Sequence, residues 1–206
     1  MISPPDLDTI SRVVAHLGQA RSILFITGAG MSADSGLPTY RGVGGLYDGG
    51  KTVEGFAIEE MLSSEMFRRN PAWTWKYLRQ IEAACRGAKF NRGHAVIAEM
   101  ERHFPRVWTL TQNVDGFHHD AGSRNVIPIH GQLRALRCTA CPWRETVDDY
   151  SHLPDLPTCV KCSALLRPDV VLFGEMLGEE NVREMKHQLR EGFDLVFSIG
   201  TTSAFP

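Results

Sequence analysis

Two cysteine pairs, Cys138-x2-Cys141 and Cys159-x2-Cys162, stand seventeen residues apart. Each has the spacing of a metal-binding knuckle, and four thiolates brought together suit tetrahedral Zn2+ with no open position, so the chemistry expected is structural. A zinc ribbon can also bind nucleic acid. Here, however, Arg134, Arg137, Arg144, Lys161 and Arg167 are interspersed with Glu145, Asp148, Asp149 and Asp155, which leaves no basic stripe. A second set of polar residues ends apolar runs: Gln112, Asn113 and Asp115 follow the run 107–111, and His130 follows 126–129 and precedes Gly131. Any one Asn or Asp reads as a turn residue bonding its own backbone; several of them at the carboxyl ends of strands mark a site. An imidazole titrates near neutrality, which makes His130 the candidate general base. The third set is the turn Gly28-Ala29-Gly30 with Ser32, Asp34 and Ser35. Backbone without Cβ can lie against a ligand there, and the following helix start offers N–H groups to an anion such as a pyrophosphate. The usual dinucleotide fingerprint has a glycine where this chain has Ala33, and a strand-to-helix turn with no ligand fits the same residues.

The elements that position these residues alternate in type. Leu7, Ile10, Val13, Val14 and Leu17 recur at helical spacing before Gly18, and an apolar β-rich run follows at 22–26. Residues 55–104 read as helices. Asn70-Pro71 starts one whose apolar face is Trp75, Leu78, Ile81 and Cys85 and which closes at Gly87; a further one from Asn91 carries Val96, Ile97 and Met100 inward. Trp73, Trp75 and Tyr77 read as core more readily than as an acyl or peptide pocket, and the odd cysteine, Cys85, as packing. Strands return at 107–111, 126–129, 169–175 and 194–199, with a polar helix at about 179–190. Asp48 has the distance of a ribose-binding acid from the glycines but lies in a glycine-rich loop, which weakens a hydride-transfer reading.

With 206 residues, 43% of them hydrophobic and 22% charged, the chain can bury a core as one domain or one domain with an insertion. Twenty-two Lys plus Arg against twenty-four Asp plus Glu give a net charge of −2, which points to neither nucleic acid nor an anionic membrane. The N-terminus has no secretory pattern and no run is long and apolar enough to span a bilayer, so a cytoplasmic location is expected.

Taken in order, GAGMSADSG with LPTYRG, TQNVDGFH, HG, the two CxxC pairs, FGE and GTTSA resemble the sirtuin family of NAD-dependent protein-lysine deacylases over essentially the whole chain. The resemblance implies an α/β fold. A Rossmann-like parallel-sheet large domain (1–42, 91–135 and 168–206) carries a small domain made of a helical insertion (43–90) and the zinc module (136–167). It implies NAD in the cleft between them, held by Gly28, Ala29, Gly30, Ser32, Asp34, Tyr40, Arg41, Gln112, Asn113, Asp115, Gly200, Thr201 and Ser203. His130, Asn113 and Asp115 are implied as catalytic. Acylated-lysine proteins are the implied substrates, adding as a strand along Val171, Phe173, Gly174 and Glu175, and the implied products are nicotinamide, free lysine and O-acyl-ADP-ribose. The same NAD site would serve an ADP-ribosyltransferase, and a zinc ribbon alone would serve a binding protein.

Two departures from the family pattern matter. Tyr40 stands where the family often has Phe. The Tyr-x-x-Arg pair of relatives that prefer succinyl and malonyl lysine is met only by Tyr77-Leu78-Arg79, with Arg one place early and turned by ~100° on a helix, so acidic-acyl preference is not expected. The apolar run 195–199 reads as a central strand with a neighbour on each side, from which the chain is expected to be C-terminally incomplete, to bind NAD weakly and to associate.

Overall fold

The computed structural model describes residues 4–37 and 51–201. Helix α1 (Pro4–Leu17) leads to strand β1 (Ser22–Thr27), where Ile23, Leu24 and Phe25 are all buried. An apolar run without alternation has to be covered on both faces, which is the condition of a parallel sheet. After the short helix α2 (Ala29–Ala33), α3 (Ile58–Met61), α4 (Ser64–Arg69) and α5 (Pro71–Cys85) precede α6 (Arg92–His103) and β2 (Arg106–Thr111). Asn91 starts α6 by accepting from the Gly93 and His94 amides. Helix α7 (Phe117–Asp120), β3 (Val126–Pro128), β4 (Gly131–Cys138), β5 (Arg144–Thr146), β6 (Leu166–Val170), α8 (Glu179–Glu191) and β7 (Leu195–Ile199) complete the described chain.

Two sheets result. The Rossmann-like one is parallel, in the order β3-β2-β1-β7, with Ile23 level with both Val107 and Leu195. Its core is Ile23, Phe25, Met31, Ile97 and Val107, against which Phe197 stacks on Phe25 at 5.2 Å. At the other end of β1, the Asp194 carboxylate accepts from the Arg21 and Ser22 amides and the Ser22 hydroxyl, which fixes where β7 begins beside it. The second sheet is antiparallel, in the order β5-β4-β6, and shares one apolar cluster with the helical segment: Met61, Trp75 and Leu78 pack with Leu133, Leu136 and Tyr150. The Trp75 indole donates to the Leu166 carbonyl at 3.0 Å, so the aromatics of α5 are core.

The structure differs from the sequence reading in four places. The strand expected at 169–175 occupies Leu166–Val170 and belongs to the antiparallel sheet, because Val170 pairs with Gly131 of β4. The segment beyond it bends back to residues 62–64, with Phe173 N donating to Leu62 O and Ser64 N to Phe173 O. Helix α1 forms, but Leu7, Ile10 and Val14 stay exposed and only Leu17 reaches the core; periodicity specifies an apolar face, not what covers it. In α6, Ile97 is buried as expected, while Val96 is exposed. Strand β7, read as central, pairs only with β1 among the described residues.

Candidate functional site

The carboxyl ends of β1, β2 and β3 bring the site together. Thr111 ends β2, and its hydroxyl accepts from the Asn113 amide, so the chain turns at once. In this turn the Asn113 side-chain Nδ2 donates to Gly28 O at 3.0 Å and to Ser32 Oγ at 3.2 Å. Ser32 Oγ donates to Asp115 Oδ2 at 2.7 Å, while Asp115 Oδ1 accepts from Phe117 N. Ser32, buried near the end of α2, therefore ties Asn113 and Asp115 to each other and to the glycine turn. Among the described hydrogen bonds the Asn113 side-chain oxygen has no partner, while each Asp115 oxygen accepts one bond.

His130 sits between β3 and β4, where the two sheets join: its carbonyl accepts from Val171 N and its Nδ1 lies 3.0 Å from the Gln112 carbonyl. A carbonyl only accepts, so Nδ1 carries the proton and Nε2 of the neutral ring keeps its lone pair for chemistry. The adjoining Gly131 has φ +82°, and a Cβ there would come within 1.8 Å of Asp169 O. The glycine is thus required by the close passage of β6, which holds His130 in place. Gln112 itself is fixed by its amide bonding Thr27 O and by Thr201 Oγ1 donating to its side-chain oxygen.

The glycine turn works differently from its sequence reading. Gly28 N donates to Ile199 O and Gly30 N to Gly200 O, so these donors are consumed by the end of β7 and do not point at an anion. A Cβ at Gly30 would come within 2.8 Å of Gly200 Cα, and one at Gly200 within 2.1 Å of Met31 N. The glycines let two backbones touch, and that contact brings Gly200 and Thr201 alongside Gly28, Gly30 and Met31. Asp34 is exposed at the end of α2. Tyr40, Arg41 and Ser203, and Asp48 with them, lie outside the described residues.

Along the proposed substrate edge the side chains have separate duties. Glu175 is turned inward: both oxygens accept from the buried guanidinium of Arg167, and one also accepts from Leu172 N. Burial alone would raise its pKa, but the Arg167 bonds outweigh that and hold it below the usual range. Among the described hydrogen bonds, the Val171 carbonyl and the Gly174 amide have no partner, whereas Phe173 is committed to residues 62–64.

Sequence reasoning missed a buried polar seam behind the turn that carries Asn113 and Asp115. His118 Nε2 lies 3.0 Å from Thr27 Oγ1, and its ring is 4.8 Å from that of His94. Burial, then the neighbouring His94 and His119, press the pKa of His118 down to about 3. The signal was present as the histidine that ends the run TQNVDGFH, but nothing local shows that it faces inward. Cys85 is half-buried, and burial, then the charges of Asp115 and Glu82, push its thiol up to about 12, an inert group as expected.

The four remaining cysteines converge, their sulfurs all within 4.8 Å of one another. Cys138 and Cys162 are 3.4 Å apart and Cys141 and Cys159 3.6 Å, against ~3.8 Å for the edge of a ZnS4 tetrahedron with ~2.3 Å bonds. Ala140 N and Lys161 N donate to the first sulfur of each pair, the bonds that stabilise a thiolate. Geometry and donor set both fit zinc.

Comparison with known proteins shows the family to which the chain belongs. A sequence model described as the Sir2 family matches residues 28–205. The chain is 50% identical over 200 residues to a Pseudomonas aeruginosa protein named NAD-dependent protein deacylase 2, covering 96% of this chain and 78% of that one. Among solved structures, a Sir2 homologue in complex with NAD superposes with a TM-score of 0.82 at 34% identity, over 95% of this chain and 73% of the other. A Sir2 protein crystallised with a deacetylated p53 peptide and 3'-O-acetyl ADP ribose gives 0.81 at 28% identity, over 96% and 78%.

Proposed function

The chain belongs to the Sir2 family, the sirtuins, and from that premise we infer that it is an NAD-dependent protein-lysine deacylase that consumes NAD and yields nicotinamide, deacylated lysine and O-acyl-ADP-ribose. The observation that carries the reading is the Asn113–Ser32–Asp115 network set beside a histidine whose Nδ1 is occupied and whose Nε2 is open.

NAD, when bound, supplies a ribose carbon that becomes electrophilic as nicotinamide leaves. The chain's own residues supply the rest. Asn113 and Asp115, held from behind by Ser32 and Gly28 O, orient the nicotinamide ribose; a rigid pair of this kind contributes by fixing attack geometry. His130 accepts a proton from a ribose hydroxyl at Nε2, with the Gln112 carbonyl stabilising the imidazolium through Nδ1. Ala29, Ser32, Asp34, Gln112, Gly200 and Thr201 are assigned to the dinucleotide; Tyr40, Arg41 and Ser203, outside the described residues, are assigned to it on the family motifs alone. Gly28 and Gly30 contribute by letting β7 approach. A substrate strand uses the Val171 carbonyl and the Gly174 amide, backbone groups that do not read sequence, while Glu175 acts by bracing the turn with Arg167. Cys138, Cys141, Cys159 and Cys162 hold zinc and fold the antiparallel sheet. We divide the chain into the large domain 1–42, 91–135 and 168–206 and the small domain 43–90 and 136–167; the presence of two apolar cores supports two units, with Leu133, Val170 and Leu172 packing into the second core from across these limits. We place the activity in the cytoplasm: no described helix is long and apolar enough to cross a membrane, and a zinc-thiolate cluster suits a reducing compartment.

The test is nicotinamide release from NAD with an acetyl-lysine peptide and with its unacylated counterpart. Acyl-dependent release is expected. Release that ignores the acyl group, with ADP-ribose joined to protein, would mean a transferase, and no release would mean a binding module.

A further inference from the structure

The turn from Asn113 to Gly116 is held on two sides. From below come the bonds of Ser32 and Gly28 already described. From above comes β4, the strand that ends at the zinc ligand Cys138. Leu133 N donates to Val114 O at 2.9 Å, and the next residue, Arg134, reaches across the turn to pair with Asp120 of α7 at 2.6 Å. On its way the guanidinium lies against Gly116: an ideal Cβ there would come within 2.7 Å of Arg134 Nη2. Gly116 has φ +82° as the residue from which α7 starts, so the turn carries a left-handed backbone just after Asp115. The backbone of Arg134 is itself fixed, since its carbonyl accepts from Val147 N beside β5.

We propose that Arg134 is a positioning residue for deacylation, its guanidinium wedged over Gly116 and paired with Asp120 so that the zinc module sets the geometry of Asn113 and Asp115. The proposal rests on the roles given to those two residues above. Both members of the pair are about a third exposed, 35% and 38%, and a pair so placed adds little to global stability. Its effect is local. Planarity matters as well as charge, because a flat guanidinium fits over the glycine backbone while an ammonium on a flexible stem does not. Zinc and the cofactor residues are thereby linked through one stretch of a single strand, from Arg134 to Cys138.

The experiment compares the wild-type chain with Arg134→Gln, Arg134→Lys and Asp120→Asn. Amide hydrogen exchange over residues 112–120 is measured without NAD, together with the melting temperature and with kcat and KM for NAD and for an acetyl-lysine peptide. The expected result is faster exchange in that segment for all three variants, a melting temperature within a few degrees of wild type, and kcat lowered by about 10-fold or more with peptide KM little changed. Arg134→Lys is expected to fall on the side of Arg134→Gln despite keeping its charge. Unchanged exchange and kinetics within twofold for Arg134→Gln would overturn the proposal. If Arg134→Gln does not fold, Asp120→Asn, which leaves the core untouched, decides on the same exchange measurement. Wild-type protein that releases no nicotinamide would sink the deacylase reading instead, and the exchange comparison would still judge the clamp.

Discussion

At the scale of single residues the site depends on which atoms are already occupied. His130→Ala is expected to lower deacylation by about 10²-fold or more while NAD affinity, measured by calorimetry, stays within a few-fold, because the ring's partner is a carbonyl and its loss leaves no buried charge. A loss of folding would mean that the histidine is structural. His118 leads to a different outcome. Its folded pKa is depressed by burial first and by His94 and His119 next, to about 3 against an ordinary 6.5, so below pH 6.5 the unfolded chain binds the proton that the folded one refuses. Stability should therefore be insensitive to this group above neutrality and fall as pH drops from about 6.5 toward 3, with a slope approaching about 1.4 kcal/mol per pH unit. Denaturant melts at pH 7, 6 and 5 test this, and a His118→Asn variant with the same slope would rule the residue out as its source. Of these two histidines only the first was legible in the sequence. His130 follows an apolar strand and precedes Gly131, a pattern that a linear reading can weigh; His118 acquires its environment from Thr27 on β1 and His94 on α6, elements far away in the chain. The same holds for the glycines. That Gly28 and Gly30 allow a close approach was readable, but that the approaching group is Gly200 follows only from the pairing of β1 with β7.

At the scale of elements, α5 carries the residues from which an acyl preference is predicted. Arg79 donates to the carbonyls of Tyr150, Leu153 and Pro154 and lies over the Trp75 ring at 5.4 Å, so it straps the helix to the zinc module and offers nothing to a ligand. Tyr77 is bonded to the carboxylate of Glu54. A buried succinyl carboxylate in this region would find an occupied cation and a like charge, and an unpaired buried charge is expensive. A neutral, unbranched acyl-lysine peptide should accordingly be processed at least as well as its succinyl analogue; a higher kcat/KM for succinyl-lysine would contradict the assignment. The one-residue displacement of Arg79 was visible in the sequence because helical geometry converts spacing into direction. Its actual partners were not visible, since backbone carbonyls leave no mark on residue type. The misplacement of the strand at 169–175 has a similar cause: an apolar run shows that a segment is buried, and only the pairing of Val170 with Gly131 assigns it to one sheet or the other.

At the scale of the whole molecule, two cores meet at His130. One is built on the parallel sheet around Ile23, Phe25, Ile97 and Val107; the other joins α3, α4 and α5 to the antiparallel sheet through Trp75, Leu136 and Tyr150. The outlines of both were legible, the first from apolar runs ending in polar tips and the second from paired cysteines, but the junction was not, because it is made where β4 starts beside the end of β6. This arrangement predicts how metal loss spreads. A structural zinc contributes roughly 10–16 kcal/mol to a small site that is unformed without it, as much as the whole stability of an ordinary domain of roughly 5–15 kcal/mol. Cys141→Ser should therefore release the metal and unfold the antiparallel sheet together with the contacts of α5. The parallel sheet has a core of its own that includes no residue of the zinc module, and its strands β1 and β2 should keep their hydrogen-exchange protection. Activity should vanish even so, since β4 carries the bonds that hold the Asn113–Gly116 turn and β6 packs against Gly131 beside His130. Metal content, exchange mapping and deacylation on the same sample test all three parts. A variant that keeps its melting temperature and full activity would show that zinc is not structural, and one that loses protection in β1 and β2 along with β4 would show that the two cores fold as one.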